Sequence, residues 1–503
     1  MRKFLMASAA ILGATVAVQG SAYAQAPTPA PMPVGPPPMG TLVVPNFGKS
    51  ANDNNNYQAA AIPGAVANPT PGSMVIRLNG KLWTEFGVGG GTGYVNGSQK
   101  ENADGMGAYF RLYPGVDGMA TNGLRWGAQA EIRENFSGNK GVAVNGQAVN
   151  STSVSAGVTA INALNSQTNC CSSLTCAQTL YVRRAFTWVA MDNIGIFRFG
   201  LTDGVAGIFD NGITTFQNVG QGLWNGDAPA WVSGNAQPQF PWYSQQGAEY
   251  GSVKMVYLSP QFFGIDIGLD FAPNNGNLEN GCSAAGQGCP QLTSSAQVNN
   301  SVSVTPTDNF RWTNRTDIGA RYQGVFGPVA AYAFGDWIHT GVVDYTGPVP
   351  AGLPAGSKYT GKMNGVDIGF GGAAITIAGF QFGGSIQGGR QNGVANPAPQ
   401  GGASGVAWLM GFAYTNGPWT VGAQYYEYDC QGAVALTGIS QQHNDAFGVG
   451  GNYQVTPGLQ AYAEYVYGQV HQGDYNFLSG SPGSTLHNDA HGQALIVGLE
   501  VGW

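Results

Sequence analysis

From Met74 onward, apolar and polar residues trade places at every second position. Ile76, Leu78, Leu82, Phe86 and Val88 alternate with Arg77, Asn79, Lys81, Trp83 and Glu85, the period of a strand with one apolar and one wet face. The chain ends on the same pattern: Leu495, Val497, Leu499, Val501 and the terminal Trp503 step by two, with Ala494, Gly498 and Glu500 facing the other way. Similar stretches fall near 106–114, 123–136, 178–191, 194–202, 247–258, 263–272, 313–326, 328–340, 364–376, 379–390, 404–415, 418–429, 443–455, 459–471 and 489–503. The pattern predicts an all-β chain of about sixteen strands, with lipid on one face and water on the other.

The connections between these strands come in two kinds. Short ones carry turn chemistry at Asp192-Asn193, Ser259-Pro260, Gly327-Pro328, Asn416-Gly417-Pro418 and Thr456-Pro457-Gly458,. Long ones run near 89–105, 137–177, 203–246, 273–312, 341–363, 391–403, 430–442 and 472–488. Strict alternation of short and long is the layout of a transmembrane antiparallel β-barrel with tight turns at one rim and large loops at the other. An even strand number then returns both ends of the barrel to the side of the tight turns. A soluble sandwich has no reason to alternate so, and the fixed short period of a β-helix is absent.

Composition agrees with a barrel. Charged residues make up only 9% of the chain beside 79 glycines, 22 tyrosines, 23 phenylalanines and 11 tryptophans, as expected where half the strand residues meet lipid and rings collect at its interfaces. No stretch after the first twenty residues has the ~20 unbroken apolar residues of a membrane helix. At the amino end, Arg2 and Lys3 precede an apolar run from Phe4 to Val18 and the small-x-small site Ala22-Tyr23-Ala24, which reads as an export signal over 1–24. A Pro- and Asn-rich leader without period follows over 25–73, and the barrel is expected over 74–503. Without the signal, 18 Lys and Arg face 27 Asp and Glu, a net of −9, so nucleic acid is not an expected partner.

Cys170, Cys171 and Cys176 fall in one connection, Cys282 and Cys289 in another, and Cys430 in a third. In an oxidising compartment these are disulfide candidates. Cys282 with Cys289 is the simplest pairing, Cys176 has Cys170 or Cys171 to choose from, and the partner of Cys430 stays open. No histidine accompanies them at ligand spacing, so neither a metal nor another cofactor is expected. The five histidines, at 339, 443, 471, 487 and 491, are scattered at strand ends near loops. Nothing resembles a nucleophile with a positioned base, and the chain reads as a non-enzyme. Gly87, Gly369, Gly371 and Gly383 read as outer-face positions, open to close approach or relieving curvature.

Three segments carry a resemblance. Gly195-Ile196-Phe197-Arg198-Phe199-Gly200-Leu201, Val256-Tyr257-Leu258-Ser259-Pro260-Gln261-Phe262-Phe263-Gly264, and Leu459-Gln460-Ala461-Tyr462-Ala463-Glu464-Tyr465 with the Trp503 terminus resemble the fifth strand, a hairpin and the closing strands of the Gram-negative general porins. That is a trimeric, sixteen-stranded outer-membrane family, and the resemblance runs over roughly 74–503. It implies a homotrimer in outer-membrane lipid, both mature termini in the periplasm, a C-terminal strand ending in Trp503 that the barrel-assembly machinery engages, and a third loop, here about 203–246, folded back into the barrel. The implied function is a water-filled channel for small hydrophilic solutes and ions. Trp503, where phenylalanine is commoner, and the loop cysteines depart from the family's pattern.

Charge is segregated along the chain. Ten of the twenty basic residues lie between Arg77 and Arg198, and nineteen of the twenty-seven acids follow residue 200. By alternation Arg77, Lys81, Arg111, Arg125, Arg133 and Arg198 share the wet face, joined by either Arg183 or Arg184. Opposed by Asp203, Asp210 and Asp227 of the inward loop, they would line a pore constriction with a field across it. The other reading is structural, with the same charges paired to Glu85, Glu131 and Glu134. Among the third-loop aromatics, Trp224, Trp231 and Trp242 are candidates for stacking on a sugar or for pinning the loop to the wall. A substrate-selective carbohydrate channel and a plugged barrel acting as an adhesin or structural protein are therefore the rival readings.

Overall fold

The computed structural model describes residues 69–92, 95–96, 99–100, 104–135, 181–191, 193–210, 242, 252–274, 312–342, 363–391, 398–399, 403–432, 441–477, 481–482 and 485–503. Its barrel strands are β1 Ser73–Gly91, β2 Asp104–Met119, β3 Arg125–Asn135, β4 Tyr181–Met191, β5 Gly195–Leu201, β6 Val253–Leu258, β7 Ile265–Asn274 and β8 Trp312–Phe326. They continue as β9 Val329–Val342, β10 Asp367–Ile377, β11 Phe380–Arg390, β12 Gly405–Asn416, β13 Trp419–Cys430, β14 Gln442–Thr456, β15 Leu459–Gln472 and β16 Asp489–Gly502. Every strand pairs antiparallel with its neighbours in sequence, and β16 closes on β1 from Lys81↔Gly502 to Gly91↔Gly492. Closure satisfies the backbone all round and leaves no edge, the condition for crossing lipid with strands. The export signal and the leader as far as residue 68 lie outside the described residues, as do Cys170, Cys171, Cys176, Cys282 and Cys289.

The alternation in the sequence becomes the two faces of the wall. Ile76, Leu78, Leu82, Phe86 and Val88 are exposed on the outside, while Arg77, Lys81, Trp83 and Glu85 are buried within. In β16 Leu495, Val497, Leu499 and Val501 point out, and Ala494, Ile496 and Glu500 point in. A basic side chain turned to lipid at midplane would cost about 2–4 kcal/mol, which fixes the register more firmly than any single apolar contact.

At the tight rim the turns use conformations that the sequence supplies. Phe263 and Gly264 both have positive φ, at 50° and 86°, between the reciprocal hydrogen bonds of Phe262 and Ile265 at 2.7 and 2.8 Å, as a two-residue hairpin turn requires. One strand is longer than the sequence suggests. The stretch expected near 106–114 continues through Pro114-Gly115 as β2 to Met119 and turns at Ala120–Leu124, where Ala120 N donates to Leu124 O at 2.8 Å. Pairing with β3 holds one register on both sides of the proline, at Leu112↔Ile132 and Gly115↔Gln129. Gly369 and Gly371 do face outward. Gly87 and Gly383 do not: Gly87 lies between the outward Phe86 and Val88, and Gly383 is the partner of the buried Ala374. An offset of one residue reverses the face.

The seam is fastened by the last residue. Trp503 and Gly80 exchange backbone hydrogen bonds at 3.0 and 3.1 Å, and the indole covers Gly80 so closely that a Cβ there would stand 2.8 Å from Trp503 Cε2. Phe110 stacks on the same ring at 6.2 Å. Gly80→Val is expected to lift the indole and cost about 1–3 kcal/mol, seen as a lower urea midpoint for unfolding in micelles.

Candidate functional site: the charged inner wall and its inward helix

After β5 the chain turns into the barrel. Residues 202–210 are all buried, and 205–209 form a short helix, α1 Val205–Phe209. Its N-cap, Gly204, has no capping side chain, so the wall provides the caps. Val205 N donates to Asp270 Oδ2 and Ala206 N to Asp317 Oδ2, both at 2.7 Å, satisfying two of the donors that a helix start leaves over. Glycine makes room for the helix: a Cβ on Gly268 would stand 2.6 Å from Val205 Cγ1, and one on Gly319 2.9 Å from the same atom. Gly268→Leu should therefore push α1 off the wall, costing about 1–3 kcal/mol, and a raised conductance of the refolded barrel is the measurement that detects it.

The inward charges on β1–β5 are mainly basic: Arg77, Lys81, Arg111, Arg125, Arg133, Arg183, Arg184 and Arg198, against Glu85, Asp117 and Glu131. Lys81, Arg111 and Arg133 are successive register partners across β1, β2 and β3, a basic row on one level. Trp83 lies between two of them, its ring 4.3 Å from Lys81 Nζ and 4.5 Å from the Arg111 guanidinium, where a cation over an indole face is favoured. Arg77 pairs with Asp117, its Nη2 at 3.0 Å from Oδ1, and Lys81 with Glu500 at 2.9 Å. Arg125 faces inward near the tight rim.

A bulge resolves the choice between Arg183 and Arg184. Glu131 pairs with Arg184 but Ile132 with Val182, so Arg183 is the extra residue and both arginines reach the inner side. Glu131 is then shared by Arg133, by Arg183 at 3.4 Å and by Arg184 at 3.2 Å, and Arg184 also reaches Asp203 at 3.2 Å. Arg198 lies over the Phe186 ring at 5.2 Å.

Among the described residues the opposing acids lie mostly on the wall. Asp266, Asp270, Asp317 and Asp336 are buried on the inner face of β7–β9, with Arg315 and Arg321 among them. Arg315 pairs with Asp270 and Asp317 at 3.4 and 3.5 Å, and Arg321 with Asp266 at 3.0 Å while covering the Phe209 ring at 4.7 Å. None of these six was singled out in the sequence, although their even and odd spacing on strands of known parity was the signal that could have found them. Asp203 and Asp210 are buried at the two ends of the α1 segment; Asp227, Trp224 and Trp231 lie outside the described residues.

Trp242 is buried, with its ring 5.9 Å from that of Phe370. It joins a hydrophobic cluster with α1 and inward residues of β9–β16, among them Phe334, Ile368, Leu409, Tyr426, Tyr428 and Val466. The inner wall thus carries most of its charge on β1–β9; beyond, apolar residues share it with uncharged polar ones such as Gln387, Gln424, Gln442 and Asn444, and with Glu464 and Glu500. Cys430, expected in a loop, is the last residue of β13, buried with its thiol 3.7 Å from Gln442 Oε1.

A family description for Gram-negative porins matches residues 59–472. No curated protein matches the chain. Among solved structures, OmpT of Vibrio cholerae in its trimer form is similar at 12% identity and a TM-score of 0.45, over 86% of this chain and all of that one. A triple mutant of the Rhodopseudomonas blastica porin is similar at 14% identity and a TM-score of 0.40, over 85% of this chain and all of that one. With its own sixteen strands closed antiparallel, an apolar outside and a charged inside, the chain belongs to the Gram-negative porins, multi-pass β-barrels of the outer membrane.

Proposed function

We propose that the protein is a passive diffusion channel for small hydrophilic solutes and ions, working as a homotrimer with both mature termini in the periplasm. The observation that carries this reading is the inward α1 segment, held between a basic wall on β1–β5 and an acidic wall on β7–β9. A field between the two orients dipolar solutes where the passage is narrowest. Arg77, Lys81, Arg111, Arg133, Arg183, Arg184 and Arg198 form its basic side, Asp203 and Asp210 stand at α1, and Asp266, Asp270, Asp317 and Asp336 form the acidic side. Many of these charges are paired, so they brace the wall as well as line it. Trp242, packed on Phe370, pins the loop.

A second reading, the plugged barrel, draws on a specific observation: inner-face side chains such as Tyr426, Tyr428, Ile368 and Val466 are almost fully buried. Swelling of proteoliposomes in sugars of increasing size separates the two. A diffusion channel gives rates that fall steadily with solute size and do not saturate; a plugged barrel gives none, and saturation by one sugar would favour the carbohydrate channel.

A further inference from the structure

One transverse row of the outer wall reads Asp429, His443, His471, Asp489, each the register partner of the next across β13, β14, β15 and β16. The row lies at the rim that carries the long connections. Below it stands a second row with Glu427, Asp445, Gln469 and His491, and below that the ring-bearing row of Tyr425, Phe447 and Tyr467 that borders the lipid belt. The sequence hides this grouping, because only the strand register unites residues so far apart along the chain.

Both imidazoles are oriented in the same way. His443 Nδ1 is 2.8 Å from Asp429 Oδ1 and His471 Nδ1 2.7 Å from Asp489 Oδ1. A carboxylate at Nδ1 holds the proton there and leaves the Nε2 lone pair for a ligand, the arrangement that supports metal-bound histidines. His443 Nε2 already stands 3.6 Å from Asp445 Oδ1. Side chains directly opposite on one face of an antiparallel pair have Cβ atoms about 4.5–5.5 Å apart, close enough for two imidazoles to share an ion. An open cavity of about 120 Å³ lies among His443, Asp445, His471, Asp489 and His491.

We propose that His443 and His471 through Nε2, with Asp445 as third ligand, bind a divalent transition-metal cation such as Zn²⁺, and that Asp429 and Asp489 are positioning residues. Two nitrogens and an oxygen with a fourth position open suit Zn²⁺ and the metals near it in ligand preference. Among the described residues no three such groups are yet converged on one point; the two imidazoles, 42% and 55% exposed, have room to turn. His339 is the contrast, since its Asp367 is shared with Arg390 at 3.2 Å, whose charge opposes a second cation.

The site is on the outer wall and does not depend on the channel reading. The test is equilibrium dialysis of Zn²⁺ against the full-length barrel folded in detergent, with circular dichroism to establish that each variant is folded. Wild type should hold one Zn²⁺ per chain more than the double variant His443→Ala/His471→Ala. Asp429→Asn and Asp489→Asn should each weaken that ion by about 10–100-fold, and His339→Ala should leave it unchanged. Equal binding by wild type and the double variant overturns the proposal, whatever the conductance of the barrel.

Discussion

The double substitution Asp270→Ala/Asp317→Ala is expected to destabilise the barrel by about 3–5 kcal/mol, the range for breaking a buried ion pair by removing one side of it, and to turn a steady channel current into a larger, fluctuating one. The two carboxylates carry two loads, and the second falls on a buried charge. They cap the start of α1 at 2.7 Å, they face Arg315 at 3.4 and 3.5 Å, and Arg315 is itself fully buried. Without them the helix loses its caps and a buried guanidinium loses both of those carboxylates. Asp270→Asn/Asp317→Asn keeps an acceptor oxygen at each place but removes the charge, so it should fall between wild type and the alanine pair. Urea unfolding in micelles reads the stability and single-channel recording the current. An alanine pair as stable and as quiet as wild type would mean that α1 is held by its apolar contacts alone.

Glu131→Gln is expected to have the next largest effect. One buried carboxylate is shared by Arg133, Arg183 and Arg184, and neutralising it leaves three guanidinium groups crowded beside Arg111 and Arg198. The cost is again about 3–5 kcal/mol. Because this group lies inside the wall, bulk salt screens it poorly, so the reversal potential across a salt gradient should move toward anion preference. The reverse change, Arg183→Gln, removes the residue that the bulge adds and should move the potential the other way with little loss of stability, since Arg133 and Arg184 still hold Glu131. Equal reversal potentials in all three proteins would exclude this cluster from ion selection.

Much of this was legible before any coordinates, for a physical reason. A barrel in lipid allows each strand residue only two directions, and a misplaced charge costs several times the thermal energy, so parity alone placed Arg77, Lys81, Arg111 and Arg133 inside. The same economy made short and long connections easy to sort. Where the local signal is ambiguous, sequence and structure part: the alternation seen near 106–114 runs on to Met119, and Gly87 and Gly383 take the face opposite to the expected one, since a glycine has no side chain to show which side of the wall it occupies. The bulge at Arg183 could not be read, because two consecutive arginines obey no alternation until the partner strand skips one. Nor could the acidic wall be matched to the basic one. Asp270 and Asp317 are ordinary wet-face residues until α1 is seen to rest on them, a contact between residues 65 and 111 apart in sequence.

The reading of the whole molecule rests on a hydrated passage through the closed strands, and current through one molecule reports on it most directly. Wild-type protein, folded and inserted in a planar bilayer, should give discrete, stable single-channel steps whose size scales with salt concentration. Folded protein that inserts and passes no current would contradict it.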